Sequence, residues 1–301
     1  MGVADRYWFV GAAAREARIP GLAASLIELF AGWDSALPRL RRLARAIERG
    51  TVSRRHSVDA KLAKLQTPLQ FPRKAYCVGA NYRDHLEEMN AAHLIKKEPG
   101  AAPFFFLRPP STSIVGPGKT VHIPPGCANF DWEAEMVVVF GKGGRNIRPE
   151  RALDHVAGYT LGIDFTARDL LVQPEFFFKF NFALGKCQDT TSPIGPTIVP
   201  KEFVDGSDFT FSLSVNGVRK QSTSTKAMIY SLPEQIAGVS QAIRIEAGDV
   251  MFTGSPAGVG APRGERLKPG DRIVVESAAI GAMEVVIQPP QIAKFPLPAR
   301  R

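Results

Sequence analysis

The chain has 301 residues, 45% of them hydrophobic, enough for one large domain or two unequal ones. No run approaches the ~18 consecutive apolar residues that would span a bilayer, and three scattered cysteines without a CxxC pair exclude a disulfide framework or a zinc site and read as thiols of a reducing cytoplasm. The formal charge is +9, but the basic residues concentrate in 38–56 with no nucleic-acid motif beside them, so they read as a solvated face that keeps the protein soluble and attracts anionic small molecules.

In chain order, MGVADRYWFVGAAAREARIP reads as mature protein, because Asp5 and Arg6 precede its apolar stretch and Arg15 interrupts it. Arg6 also stands where a myristoylation motif needs Ser or Thr. Tyr7–Val10 predicts a short strand followed by helices. Leu37, Leu40, Leu43 or Ala44, and Ile47 recur at helical spacing and predict an amphipathic helix with an arginine-rich outer face. The two prolines of 67–74 mark a linker, which divides the chain into a small N-terminal domain over 1–70 and a main domain over 71–301. From Ala75 onward, short β-branched runs between Gly, Pro and Asp predict strands: AYCVGANY, EMVVVFG, HVAGYTLGID, FTFSLSVNG, GDVMFTG and DRIVVES. LPEQIAGVSQAIRI (232–245) predicts a helix, and 288–301 a surface tail.

Glu133 and Glu135 lie two apart in FDWEAEMVVVF. In a strand, period two puts both carboxylates on one face, where they repel and are costly to bury. A divalent cation removes that cost, and an all-carboxylate set suits a hard ion such as Mg²⁺, Mn²⁺ or Ca²⁺. Asp164 ends the apolar run of GYTLGID, a common place for a third ligand, though alone it reads equally as a helix cap, and a lone ExE as one solvated strand face. His85 precedes Glu88 by three, one helical face, where the carboxylate can orient the imidazole for proton transfer, though locally the pair reads first as an exposed histidine beside an incidental glutamate. Gly79 and Asn81 before it suggest a loop that closes over a site. Lys186, in ALGKCQD, can reach a developing enolate or can be a surface lysine. The glycines of MFTGSPAGVG leave backbone N–H groups around Thr253 and Ser255 open to an anion.

Together, VGANYRDHLEEM, FFFLRPPSTSIVGPG, FDWEAEMVVVFG, GYTLGIDFTARD, LGKCQDTTSPIGP, VNGVRKQSTSTKAMIYS, GDVMFTGSPAGVG and LKPGD resemble the fumarylacetoacetate hydrolase superfamily over roughly residues 70–285. The resemblance implies an α+β, β-rich fold, a mixed β-sandwich roll with a small α/β N-terminal domain, and a homodimer. It implies Mg²⁺ or Mn²⁺ on Glu133, Glu135 and Asp164, a water-activating pair of His85 and Glu88 on a lid, and Lys186 stabilising an enolate. Arg168 and Asp169 would belong to the loop around the metal, and Arg168, Gln221, Thr225, Thr253 and Gly254 would contact substrate. The expected activity is hydrolysis of a carbon–carbon bond in a β-diketone or acylpyruvate, in the catabolism of aromatic or cyclic compounds. The alternatives are an isomerase, tautomerase or decarboxylase of 2-hydroxy-dienoates or 2-oxo acids, and a non-catalytic binding member. A small-molecule substrate and a cytoplasmic location are expected, with neither nucleic acid nor membrane as partner.

Three features depart from the family pattern. Leu171 stands where many acylpyruvate-acting members have Gln, and Arg108 replaces a common lysine. PEFFFKFNF (174–182) is strongly aromatic, which reads as core packing, a dimer contact, or an enlarged apolar substrate pocket.

Overall fold

The computed structural model describes residues 1–22, 25–94, 97 and 101–291. The fold is α+β and sheet-rich. Its centre is a seven-stranded mixed sheet in the order Phe105–Arg108, Ala75–Val78, Val250–Phe252, Ala134–Phe140, Val156–Ile163, Ser192–Pro200, Ile114–Val115. The run AEMVVVF forms its middle strand because both faces are covered. Met136, Val138 and Phe140 point into the main core, which holds Leu213, Val275 and Val285 of a second, five-stranded sheet and Ile236 and Val239 of the helix Leu232–Ala242. Val137 and Val139 point the other way, onto Phe252, Phe30 and Trp33. Each such side chain, fully withdrawn from water, contributes about 1.5–3 kcal/mol.

The N-terminal segment builds a three-stranded sheet (Gly2–Val3, Arg6–Trp8, Ser57–Asp59) with its own cluster around Trp8, Ala13, Leu43 and Ile47. The arginine-rich helix runs Trp33–Glu48 and is amphipathic as its spacing predicts, burying Trp33, Ala36, Leu43 and Ile47. The cysteines are free thiols. Among the described residues no helix is long and apolar enough to cross a membrane. Most of the expected tail, 292–301, lies outside the described residues.

Candidate active site

Strand register assembles the acidic cluster. The middle strand pairs antiparallel with Val156–Ile163, Glu135 opposite Gly162 and Ala134 opposite Ile163. The next residue, Asp164, therefore emerges beside Glu133, and its N–H donates to the Glu133 carbonyl at 2.8 Å. Glu133 and Glu135 continue the face of Val137 and Val139 past the end of that hydrophobic cluster. All three carboxylates are buried, and one oxygen from each lies within 4.8 Å of the others.

The three differ in how their charge is balanced. Lys186 Nζ donates to Glu133 Oε2 at 2.7 Å and to Asp164 Oδ2 at 2.6 Å. Arg168 Nη2 donates to Glu133 Oε1 at 2.6 Å, and Arg108 pairs with Asp164. Burial pushes the Glu133 carboxyl up, but Lys186 and Arg168 outweigh it and hold it well below the usual range. Burial also pulls the Lys186 ammonium down, and Asp164 and Glu133 reverse this, so it stays charged. Glu135 has no lysine or arginine partner among the described residues; the Gly254 N–H, at 2.6 Å, is its hydrogen-bond donor. Burial, then Asp164 and Glu133, drive its carboxyl well above the usual range. A buried carboxylate without a cation, sharing its space with two others, is the chemistry of a divalent-metal site, and the all-oxygen donor set fits a hard ion.

A cavity of about 130 Å³ opens onto this cluster, lined by His85, Lys186, Arg168, Ser255, Phe104, Phe106 and Phe182 among others. His85 lies on the helix Arg83–Glu88, with Nδ1 2.9 Å from Glu88 Oε1. An ionised carboxylate only accepts, so Nδ1 carries the proton and Nε2 is left to exchange one with a ligand. Glu88 in turn accepts from Gly258 N at 2.9 and 3.0 Å and from Val259 N at 3.4 Å. Burial raises the Glu88 carboxyl, but His85 and these N–H groups outweigh it and hold it below its ordinary value.

Other expected substrate contacts stand elsewhere. The Thr253 hydroxyl donates to the Met136 carbonyl at 2.8 Å and is fully buried, so it ties strand to strand and does not face the cavity. Gly254 supports Glu135. Gln221 lies one layer behind: its Oε1 accepts from Ala134 N at 2.8 Å, between the two glutamates, and its Nε2 donates to Ser255 Oγ at 2.9 Å and Pro256 O at 2.8 Å. Thr225 is not brought to the site. It bonds Gly206 and Phe209 and lines a separate cavity with Tyr159, Met228 and Leu232. Asp169 holds the loop 127–129 through Ala128 N and Asn129 N. Leu171 packs against Gly185 and lines no part of the cavity.

The aromatic run is neither core nor an enlarged pocket. Phe177 is 91% and Phe178 81% exposed, and Phe182 alone of this run reaches the cavity, against Phe104 and Phe106. Sequence reasoning missed Asp131, which holds Arg168 by a 2.9 Å bond from Nε. The signal was present, since Asp131, Glu133 and Glu135 share one period-two pattern.

Residues 74–288 match the fumarylacetoacetate (FAA) hydrolase C-terminal family. The oxaloacetate tautomerase YisK of Bacillus subtilis strain 168 is 37% identical over 273 residues, covering 88% of this chain and 86% of that protein. A structure assigned as an HpcE protein from Mycobacterium smegmatis superposes with a TM-score of 0.76 at 30% identity, covering 93% of each chain. Fumarylpyruvate hydrolase from Pseudomonas aeruginosa, in complex with Mn²⁺ and pyruvate, gives 0.63 at 29% identity, covering 75% of this chain and 93% of that one. The chain belongs to the fumarylacetoacetate hydrolase family.

Proposed function

We propose that the protein catalyses keto–enol tautomerisation of a small 2-oxo acid of the oxaloacetate type, with Mg²⁺ or Mn²⁺ held by Glu133, Glu135 and Asp164. This stands ahead of carbon–carbon bond hydrolysis, the activity expected from the sequence. The carrying observation is the set of groups that meet at the cavity: one proton-exchanging imidazole and two cationic side chains beside the acidic cluster. Enolisation needs one proton moved and no attacking water, which a single proton-exchanging group suffices to do. Similarity to an oxaloacetate tautomerase over most of both chains supports the same reading.

The chemistry needs one proton moved between carbon and oxygen. Arg168 and Lys186 attract the substrate's negative charge. Nε2 of His85 takes a proton from the carbon next to the carbonyl, with Glu88 stabilising the imidazolium. The C–H electron pair becomes the C=C bond, and the carbonyl oxygen becomes an enolate facing the Lys186 ammonium. Return of the proton to that oxygen gives the enol, and the reverse sequence gives the ketone. A divalent cation held by Glu133, Glu135 and Asp164 would supply Lewis acidity toward the carbonyl.

Hydrolysis keeps one specific support, the likeness to fumarylpyruvate hydrolase. Ultraviolet monitoring of Mn²⁺-loaded protein with enol-oxaloacetate and with fumarylpyruvate, followed by mass spectrometry, separates the two. The expected result is accelerated loss of the oxaloacetate enol band without change of mass. Conversion of fumarylpyruvate into two products with a gain of one water, and no effect on oxaloacetate, reverses the assignment.

A further inference from the structure

The segment Thr253–Ala261 reaches both the acidic cluster and the His85–Glu88 pair. Its backbone N–H groups at Gly254, Gly258, Val259, Gly260 and Ala261 donate to three acidic side chains: Glu135, Glu88 and Asp131. Two of these belong to the reading above, Glu135 to the metal ligands and Glu88 to the proton-transfer pair. The third, Asp131, touches neither cavity nor ligand. It is fully buried and accepts from Trp132 N (2.8 Å) and Gly260 N (2.7 Å) on Oδ1, and from Ala261 N (3.1 Å) and Arg168 Nε (2.9 Å) on Oδ2. Arg168 passes the connection on to Glu133. Thus the consecutive N–H groups of 258–261 grip the lid carboxylate at one end and the anchor of a metal ligand at the other. The fit at Gly260 is tight, because a Cβ there would meet Asp131 Oδ1 at 2.9 Å, Trp132 at 2.8 Å and the Glu265 carbonyl at 2.6 Å.

We propose that Asp131 is a positioning residue that couples the lid helix Arg83–Glu88 to the acidic cluster, so that setting Glu133 and setting the His85–Glu88 pair are one event. The coupling stands on the hydrogen bonds alone, and its functional meaning rests on the metal-site reading. It also explains the residue type. Both Asp131 oxygens face donors, whereas an asparagine has one acceptor oxygen and must turn its NH₂ toward either the Trp132 and Gly260 N–H pair or the Arg168 and Ala261 pair. Asp131→Asn therefore breaks one side of the connection while keeping the volume.

The test combines Mn²⁺ titration calorimetry with hydrogen exchange read by mass spectrometry on peptides covering 83–89, 253–261 and 134–140. In the wild type, Mn²⁺ is expected to raise protection across 83–89 and 258–261, although those segments carry no ligand. Asp131→Asn is expected to weaken Mn²⁺ binding ~10–100-fold and, without metal, to lower protection in both segments while 134–140 is unchanged. A folded variant with unaltered Mn²⁺ affinity and exchange faster only at 260–261 overturns the proposal. So does a wild type in which Mn²⁺ protects the peptide 134–140 alone, an outcome that stands whether or not the variant folds. A wild type that binds no Mn²⁺ refutes the metal reading; the metal-free exchange of Asp131→Asn, or of Gly260→Ala if the first variant does not fold, then decides the coupling by whether 83–89 loosens with 258–261.

Discussion

Lys186 donates to Glu133 Oε2 at 2.7 Å from the middle of the acidic cluster, and its second carboxylate partner is Asp164. One ammonium thus bridges two of three neighbouring buried carboxylates, sharing their compensation with Arg168 on Glu133 and Arg108 on Asp164. Removing one member of a buried ion pair costs about 3–5 kcal/mol, because the other charge is left uncompensated. Lys186→Met is expected to lower the melting temperature of metal-free protein strongly. Mn²⁺ is expected to raise it more in the variant than in the wild type, since the ion takes over part of the lost compensation. Differential scanning calorimetry with and without Mn²⁺ checks this; an equal metal-induced rise in both proteins contradicts it.

Acidification is expected to loosen the helix Arg83–Glu88 by a predictable route. The Glu88 carboxyl is held below its reference value of 4.5 in the folded protein. A depressed carboxyl contributes stability that is fully present above the unfolded pKa and is lost as pH falls through the folded one. Exchange protection of 83–89 should therefore be constant with respect to this group from neutral pH down to the reference value, and should fall below it. In Glu88→Gln that acid-side loss should disappear. A loss of equal size in the variant would assign the transition to another group.

Gly258 has φ +110°, and a Cβ there would run into the Lys220 carbonyl. Gly258→Ala combines a left-handed backbone with a main-chain collision. The backbone conformation alone costs about 1–3 kcal/mol, and any relief moves the N–H away from Glu88. Urea unfolding should show the destabilisation, and kcat should fall further than the folded fraction does. Wild-type stability and activity would show that the segment adjusts freely.

The aromatic run divides into two functional classes. Phe177 is almost wholly exposed, so Phe177→Ser should change folding stability by less than ~0.5 kcal/mol. Phe182 forms cavity wall with Phe104 and Phe106. Phe182→Ala should widen the space and shift kcat/KM toward longer-chain 2-oxo acids. An unchanged preference would separate cavity size from selectivity.

The acidic cluster was legible because two local rules coincide: period two places Glu133 with Glu135, and an apolar run ending in Asp164 pairs beside them. The pair His85–Glu88 was legible from helical spacing. What the sequence concealed depends on contacts between distant segments. Thr225 follows the strand Val218–Ser224, whose pairing with Thr210–Val215 delivers it to Gly206 and Phe209, away from the cavity. Thr253 and Gly254 lie beside the site, but their polar groups are taken by Met136 and Glu135. The phenylalanines look like core from composition. A bridge between Val172 and Phe180 closes a short loop instead, and among the described residues the side chains at its tip, Phe177 and Phe178, stay exposed. Asp131 shares the period-two pattern of Glu133 and Glu135, but its role depends on Arg168 and on the Gly260 and Ala261 N–H groups, 129 and 130 residues away, which no local pattern connects to it.

The most direct test of the central claim is the rate of enol-to-keto conversion of oxaloacetate by chelator-treated protein, before and after Mn²⁺ is restored, in the wild type and in Glu135→Gln. Little acceleration is expected in the stripped protein, recovery with Mn²⁺ in the wild type, and no recovery in the variant. Equal acceleration by stripped and Mn²⁺-loaded wild type, or full activity in Glu135→Gln, would contradict it.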